Sequence, residues 1–141
     1  MIDARTGWYF DHVSVKAVVL RDDGTVLLGL NGRGEWELPG GWPGESDRTL
    51  EDALVREVRE EAGIVVRPVT LVAAELYQAA PGERVVLVSF LAREVPGSDG
   101  EVRISSEHSN VGYYRPGDVV ERLPEVYVRH IEIARRAAAH G

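Results

Sequence analysis

The order of apolar and polar positions divides the chain into strands, turns and two long helices. Residues 13 to 20 (VSVKAVVL) are rich in β-branched residues and predict a well-buried strand, and 26 to 30 (VLLGL) predict a second. Asp22-Asp23-Gly24 between them signals a tight turn, so the two are expected to form a hairpin. Upstream, the aromatic run Gly7-Trp8-Tyr9-Phe10 could serve as an edge strand, a core plug or a stacking surface for a base, and core packing is the expectation. The polar loop from Asn31 to Glu35 leads into a short strand, Trp36-Glu37-Leu38. Residues 65 to 79 predict a strand in which Pro68 interrupts pairing or sits at an edge, because proline has no N–H to donate. Pro81-Gly82-Glu83 is a turn, and 84 to 92 (RVVLVSFLA) give the strongest strand signal, so these two segments should pair antiparallel. Near the end, Val111 to Tyr114 suit a short strand, Pro116 suits the first position of a short helix reaching Arg122, and 124 to 139 carry a helical pattern that should cover a sheet face. Strands flanking one central helix, with a second long helix closing the chain, make an α/β protein with a mixed sheet between helices.

The central helix is the most sharply bounded element. Thr49 is suited to the N-cap, where its hydroxyl accepts an orphan backbone N–H, and Asp52 completes a capping-box arrangement. Gly63 is suited to end it in the left-handed conformation, giving roughly 13 helical residues. Its second half, Arg56-Glu57-Val58-Arg59-Glu60-Glu61-Ala62-Gly63-Ile64, is electrostatically costly. Carboxylates near a helix C-terminus face the negative end of the helix dipole, and residues three or four apart repel one another. At about 100° per residue, Glu57, Glu60 and Glu61 fall on the side of Leu50, Ala53 and Leu54. The plainer reading is a solvated acidic helix with Arg56 and Arg59 as surface partners. Carboxylates at the edge of a core need cations or donors, and oxygens converging on one spot suit a hard divalent ion, Mg²⁺ or Mn²⁺.

Composition narrows the function classes. A chain of 141 residues with 44% hydrophobic and 28% charged residues is expected to form one domain over 1–141 with a real core. No apolar run approaches a membrane span, and the first residues lack a signal-peptide layout. With no cysteine, disulfides, thiolate nucleophiles and cysteine-ligated zinc are excluded, and the cytoplasm is the expected compartment. A net charge of −7 argues against a nucleic-acid partner, since such binders carry a basic face. An anionic small substrate remains compatible, because bound divalent ions invert the local charge. Lys16 is the only lysine, and the arginine bias carries no functional inference.

The segment Arg56 to Ile64 resembles the core of the Nudix box, whose pattern is Gly, five residues, Glu, seven residues, then Arg-Glu-aliphatic-any-Glu-Glu-any-Gly-aliphatic. The second half matches at every specified position, and Leu38-Pro39-Gly40-Gly41 resembles the usual approach to the box. The middle departs from it. Arg48 stands where the first glutamate is expected, and the counterpart is Glu45, with ten residues between it and Arg56 instead of seven. The resemblance implies the α/β/α sandwich of Nudix proteins, a mixed central sheet between helices, over most of the chain.

It also implies an activity: Mg²⁺- or Mn²⁺-dependent hydrolysis of a nucleoside diphosphate linked to another moiety, by water attack on a phosphorus of the diphosphate. Glu57, Glu60 and Glu61 are then metal ligands, with the Gly40 carbonyl as a further candidate, and Arg56 braces the glutamates and the loop, with Glu45 as a possible partner. The general base falls either to a box glutamate, Glu60 or Glu61, or to Glu107 in the stretch Ser105 to Ser109, where His108 is a loop residue or a hydrogen-bond partner. Arg33 and Arg84 are candidates to hold phosphate. Tyr77, Gln78, Pro81 and Glu83 fall where subfamilies carry discriminating residues, and Trp8, Tyr9, Trp36, Trp42 or Tyr113 could stack on a base. The residues do not choose among a nucleoside triphosphate, ADP-ribose and a nucleotide sugar. The competing reading is a non-catalytic Nudix-like domain that senses a nucleotide or contacts another protein. Three retained, mutually repelling carboxylates weigh against it. Either a monomer or a homodimer is expected, acting on a small nucleotide, with no membrane or nucleic-acid partner.

Overall fold

Local capping chemistry builds the central helix as the sequence predicts. In the computed structural model, which describes residues 1–97 and 110–140, α1 spans Leu50–Ala62. The Thr49 hydroxyl accepts the Asp52 N–H at 3.0 Å, and Gly63 ends the helix with φ 73°, its N–H donating to the Arg59 carbonyl. Asp52 reaches back to the N–H of Arg48, one residue earlier than a standard capping box, at 3.3 Å. The strands are β1 (His12–Val19), β2 (Val26–Leu30), β3 (Trp36–Glu37), β4 (Gly40–Gly41), β5 (Val66–Ala80), β6 (Glu83–Glu94) and β7 (Asn110–Tyr114). The chain ends with α2 (Pro116–Val119), a 3₁₀ turn over Val120–Arg122, and α3 (Glu125–His140). Pro116 occupies the first turn of α2, where its missing N–H costs nothing.

The strands form two sheets, ordered β4-β1-β6-β5 and β3-β2-β7. β5 and β6 pair antiparallel along their length, as expected, and β5 is the outer strand. The register shifts just after Pro68, where a ladder donor is missing. β1 and β2, expected to form a hairpin, meet only at the single bridge Leu20–Val26. The turn exists, with the Gly24 N–H donating to the Arg21 carbonyl, but beyond it the strands diverge into different sheets. β1 instead pairs in parallel with β6, from His12–Val85 to Val19–Ala92. Such a pairing needs a long crossover, which the intervening chain and α1 provide.

Alternation along β1 and β6 distributes the core between the two long helices. Val15, Ala17 and Val19 of β1 and Val88, Phe90 and Ala92 of β6 pack with Ala53, Leu54, Val58 and Ala62 of α1. Their neighbours Val18, Leu87 and Leu91 pack with Val126, Tyr127, Ile131 and Ala134 of α3. The mixed sheet therefore lies between helices, as expected. The α3 side also buries polar groups. Ser89 Oγ lies 2.6 Å from His130 Nδ1, and His130 Nε2 lies 2.7 Å from Glu75 Oε2, while Arg129 pairs with the other Glu75 oxygen at 2.7 Å. Ser89 and His130 are fully buried, so the chain satisfies polar atoms and pins α3 to β5 and β6. The hydrogen bond from His130, with help from the Arg129 charge, holds the Glu75 carboxyl below its ordinary range.

The aromatic run Trp8 to Phe10 is not in the core. Trp8 is 77% exposed, and Tyr9 and Phe10 are also exposed. The segment folds on itself: the Asp3 carboxylate accepts the N–H groups of Arg5 and Thr6, and Ile2 bridges to Tyr9. It thereby satisfies its backbone locally and needs no place among the strands. Among the described residues no helix is long and apolar enough to cross a membrane.

Leu54 has no exposed surface and sits at the centre of the α1 face. Leu54→Ala is expected to lower unfolding free energy by about 2–5 kcal/mol. The check is a fall in the urea midpoint with unchanged slope.

Candidate active site

Two glycines bring α1 against the edge of the sheet. β4 pairs antiparallel with β1, placing Gly41 opposite Val15 and Gly40 opposite Lys16. Gly40 has φ 146°, and a Cβ there would stand 1.9 Å from the Val15 carbonyl oxygen, so no other residue fits. At Gly41 a Cβ would stand 2.6 Å from the Glu57 carboxylate carbon. The missing side chain is the space that Glu57 fills. The Gly40 N–H donates to Glu61 Oε2 at 2.9 Å, and Glu61 is 5% exposed. Glu57 and Glu61, one helical turn apart, are thus both held against β4.

Glu60 departs from the expectation that all three glutamates share the apolar side. Its side chain is 59% exposed, because it lies one residue off the stripe that Glu57 and Glu61 continue. Arg56 joins the two groups. Its Nη1 donates to Glu57 Oε1 at 3.0 Å and to Glu60 Oε2 at 3.2 Å, and its Nη2 donates to the Trp42 carbonyl at 3.1 Å. Its strongest partner is Asp47, with Nη2–Oδ2 at 2.7 Å and Nε within 3.2 Å of both oxygens. The bracing partner offered for Arg56 from sequence, Glu45, is therefore replaced by Asp47. Residues 44 to 47 form a turn, in which the Asp47 N–H donates to the Gly44 carbonyl and the Gly44 N–H donates to Asp47 Oδ2. That turn leaves Glu45 exposed at its corner and points Asp47, 5% exposed, at the guanidinium. The Arg56 hydrogen bond, then the Gly44 N–H, holds the Asp47 carboxyl below its ordinary range. Reciprocally, Asp47 first and Glu57 next raise Arg56.

Beside β4 on the α3 face opens a cavity of ≈ 510 Å³. The substrate candidates Arg33, Arg84 and Tyr77 all line it. Both arginines are held by carboxylates: Arg84 makes a two-pronged pair with Asp11 at 2.9 and 3.1 Å, and Arg33 pairs with Glu35 at 3.0 Å. Burial raises the Tyr77 phenol above its ordinary value. Trp36 and Trp42 line the same space, and Trp42 stacks on His12 with ring centroids 4.1 Å apart. Tyr9 also reaches the cavity, beneath the Arg84 guanidinium. Tyr113 does not; it lies under Arg21, with its hydroxyl donating to Glu94 at 2.9 Å. Glu107 and His108 lie outside the described residues.

Sequence reasoning missed Asp47, Asp11 and the environment of Lys16. The Gly44-to-Asp47 turn was the available signal for the first, since aspartate commonly closes such turns with its own side chain. Nothing local identifies the other two, whose surroundings come from distant strands.

The NUDIX domain family profile matches residues 11–137. The chain belongs to the Nudix hydrolase superfamily. It is 38% identical over 130 residues to a MutT-like protein of Streptomyces ambofaciens, covering 91% of this chain and 80% of that protein. The crystal structure of a MutT NUDIX hydrolase from Burkholderia pseudomallei superposes with TM-score 0.74 at 30% identity, over 88% of this chain and 98% of the other. The 8-oxo-dGDP phosphatase NUDT18 of Danio rerio is 41% identical over 88 residues, 60% of this chain but only 26% of that longer protein. This Nudix chain is accordingly a nucleotide pyrophosphohydrolase acting on phosphoanhydride bonds.

Nudix proteins are typically dependent on a divalent metal. Among the described residues no three His, Cys, Asp or Glu side chains are already gathered as if around an ion. The guanidinium of Arg56 lies between Glu57 and Glu60 and offsets their repulsion. The donor set nevertheless fits Mg²⁺ or Mn²⁺: it is all oxygen, and Glu61 is a buried carboxylate already oriented by a backbone N–H.

Asp47→Asn is expected to reduce turnover roughly tenfold or more, with helix content by circular dichroism unchanged, since it removes the charge that positions Arg56. The sign of the pH dependence follows from the lowered Asp47 value. The stabilisation that ionised Asp47 contributes is complete above its ordinary value of 3.8 and is lost as pH falls through the lower folded-state value. The stability difference between wild type and Asp47→Asn, measured by urea unfolding, should therefore hold steady from neutrality to about pH 5 and shrink at lower pH.

Proposed function

We propose that this Nudix hydrolase cleaves a nucleoside diphosphate carrying a further group, with Mg²⁺ or Mn²⁺ held by Glu57 and Glu61 and completed by Glu60, and that it works in the cytoplasm. The observation that carries the reading is the seating of Glu57 and Glu61 against two glycines of β4, beside the cavity. When bound, the metal neutralises phosphate oxygens and lowers the pKa of a coordinated water.

The chain's own residues supply orientation. Glu61 is fixed by the Gly40 N–H and Glu57 by the wall of Gly41, so neither carboxylate has to be ordered when an ion arrives. Arg56 keeps the loop of residues 42 to 47 attached to the helix through Asp47 and the Trp42 carbonyl. Glu60, the most exposed of the three, is the box glutamate best able to accept a proton from water, and Glu107 is the alternative base. The names of the relatives, MutT-like protein and 8-oxo-dGDP phosphatase, favour a purine nucleotide, including an oxidised one, as substrate.

The test is a panel of nucleoside di- and triphosphates, oxidised guanine nucleotides, ADP-ribose and nucleotide sugars, assayed with Mg²⁺ and with Mn²⁺. At least one member should turn over only with divalent metal, and Glu61→Gln should lower that rate roughly a hundredfold or more. No turnover of any member with either ion would sink the proposal, as would a Glu60→Gln, Glu61→Gln double variant of undiminished activity.

A further inference from the structure

The cavity holds a buried cation for which the described residues supply no partner. Lys16, the only lysine of the chain, is 8% exposed and lines the cavity from β1. Among the described residues its ammonium makes no ion pair or hydrogen bond, whereas Arg84 is committed to Asp11 and Arg33 to Glu35. Glu37 and Glu83, the other carboxylates of the wall, also lend their charge to Arg33. The acidic groups of the cavity are thus answered by its two arginines, and Lys16 is the cation not so engaged. An ammonium taken out of water without compensation is costly, so a ligand oxygen is its natural partner.

The strand order says which part of a nucleotide bears that oxygen. Lys16 pairs with Gly40 across β1 and β4, and the Gly40 N–H is the anchor of Glu61. The cation therefore stands one strand, about 5 Å, from the backbone that seats the carboxylates of α1. Alternation along β1 turns Lys16 to the cavity and its neighbours Val15 and Ala17 to α1. Tyr77, with Tyr127 beside it at 6.3 Å between ring centroids, lines the cavity from β5, the strand farthest from β4. These rings suit a flat base. A nucleotide with its diphosphate at the carboxylates and its base toward Tyr77 crosses β1 with its phosphate end, and Lys16 waits there.

We infer that Lys16 binds a phosphate oxygen of the nucleotide, the role the sequence suggests for Arg33 and Arg84, and that it does so whatever the base. The inference rests on the proposed function, because it takes the carboxylates of α1 as the place of the diphosphate, but its test needs no turnover. Adenosine, inosine and their 5′-monophosphates are titrated with Ca²⁺ present, a hard cation that takes the same oxygen ligands. Tryptophan fluorescence supplies the signal, since Trp36 and Trp42 line the cavity. Lys16→Met, checked for folding by circular dichroism, should bind both monophosphates roughly tenfold more weakly than wild type and both nucleosides within about twofold. A single lysine also gives a direct view of the wild type. In protein labelled with ¹³C-lysine, the ε-methylene signal should move much further with either monophosphate than with either nucleoside.

Equal weakening of nucleosides and monophosphates in Lys16→Met would overturn the inference, because a lysine serving the base or the fold does not distinguish them. Unchanged monophosphate affinity, or no binding of any of these ligands, would overturn it as well. Where the variant fails to fold, the wild-type signal decides, and equal movement with nucleoside and monophosphate is the overturning result. A phosphate-selective response of Lys16 without hydrolysis of any substrate would uphold the inference while defeating the proposed reaction. Hydrolysis with a Lys16 indifferent to phosphate would do the reverse.

Discussion

One guanidinium sets the geometry on which the site depends. Arg56 sits in the second half of α1 and reaches three carboxylates and one backbone carbonyl, so the helix and the loop of residues 42 to 47 converge on a single planar group. Glutamates crowded at a helix C-terminus would otherwise repel each other and the helix dipole. A planar, permanently charged side chain with five donors can answer several acceptors at once, which a lysine could not do. Asp47 then serves two ends: it closes its own turn through the Gly44 N–H and fixes the side of Arg56 that faces away from the glutamates. Glu57 and Glu60 are thus arranged by one basic side chain between them.

The same economy governs the sheet edge. Gly40 and Gly41 are required by what lies against them, a carbonyl of β1 in one case and a glutamate of α1 in the other. Absent side chains are as much a part of the site as the carboxylates. On the opposite face the chain uses polar contacts to fix position, and the buried line from Ser89 through His130 to Glu75 holds α3 where its Tyr127 can close one side of the cavity.

Features governed by neighbours in sequence were legible, and those governed by distant segments were not. The bounds of α1 could be read because Thr49 and Gly63 act within one turn of the helix. The β5–β6 pairing and the marginal place of Pro68 followed from a turn and from a missing donor. The parallel partnership of β1 with β6 had no local signature, so β1 and β2 looked like a hairpin when they belong to different sheets. The aromatic run near the N-terminus misled for a related reason. Hydrophobicity suggested burial, but a self-contained turn around Asp3 satisfied the backbone and left the rings outside. Arg56 as a brace was legible from its place in the box, while the identity of its partner depended on how the ten residues between Glu45 and Arg56, where the family pattern has seven, fold back.

The alternation of β1 gives the chain two separately adjustable surfaces. Val13, Val15 and Ala17 belong to the side packed on α1, while His12, Ser14 and Lys16 belong to the side that lines the cavity. The residues that face the cavity are not the ones that seat α1, so one side of the strand can be altered without removing a contact of the other. A pleated strand one residue thick is, in that sense, a partition between what a lineage can vary and what it must keep.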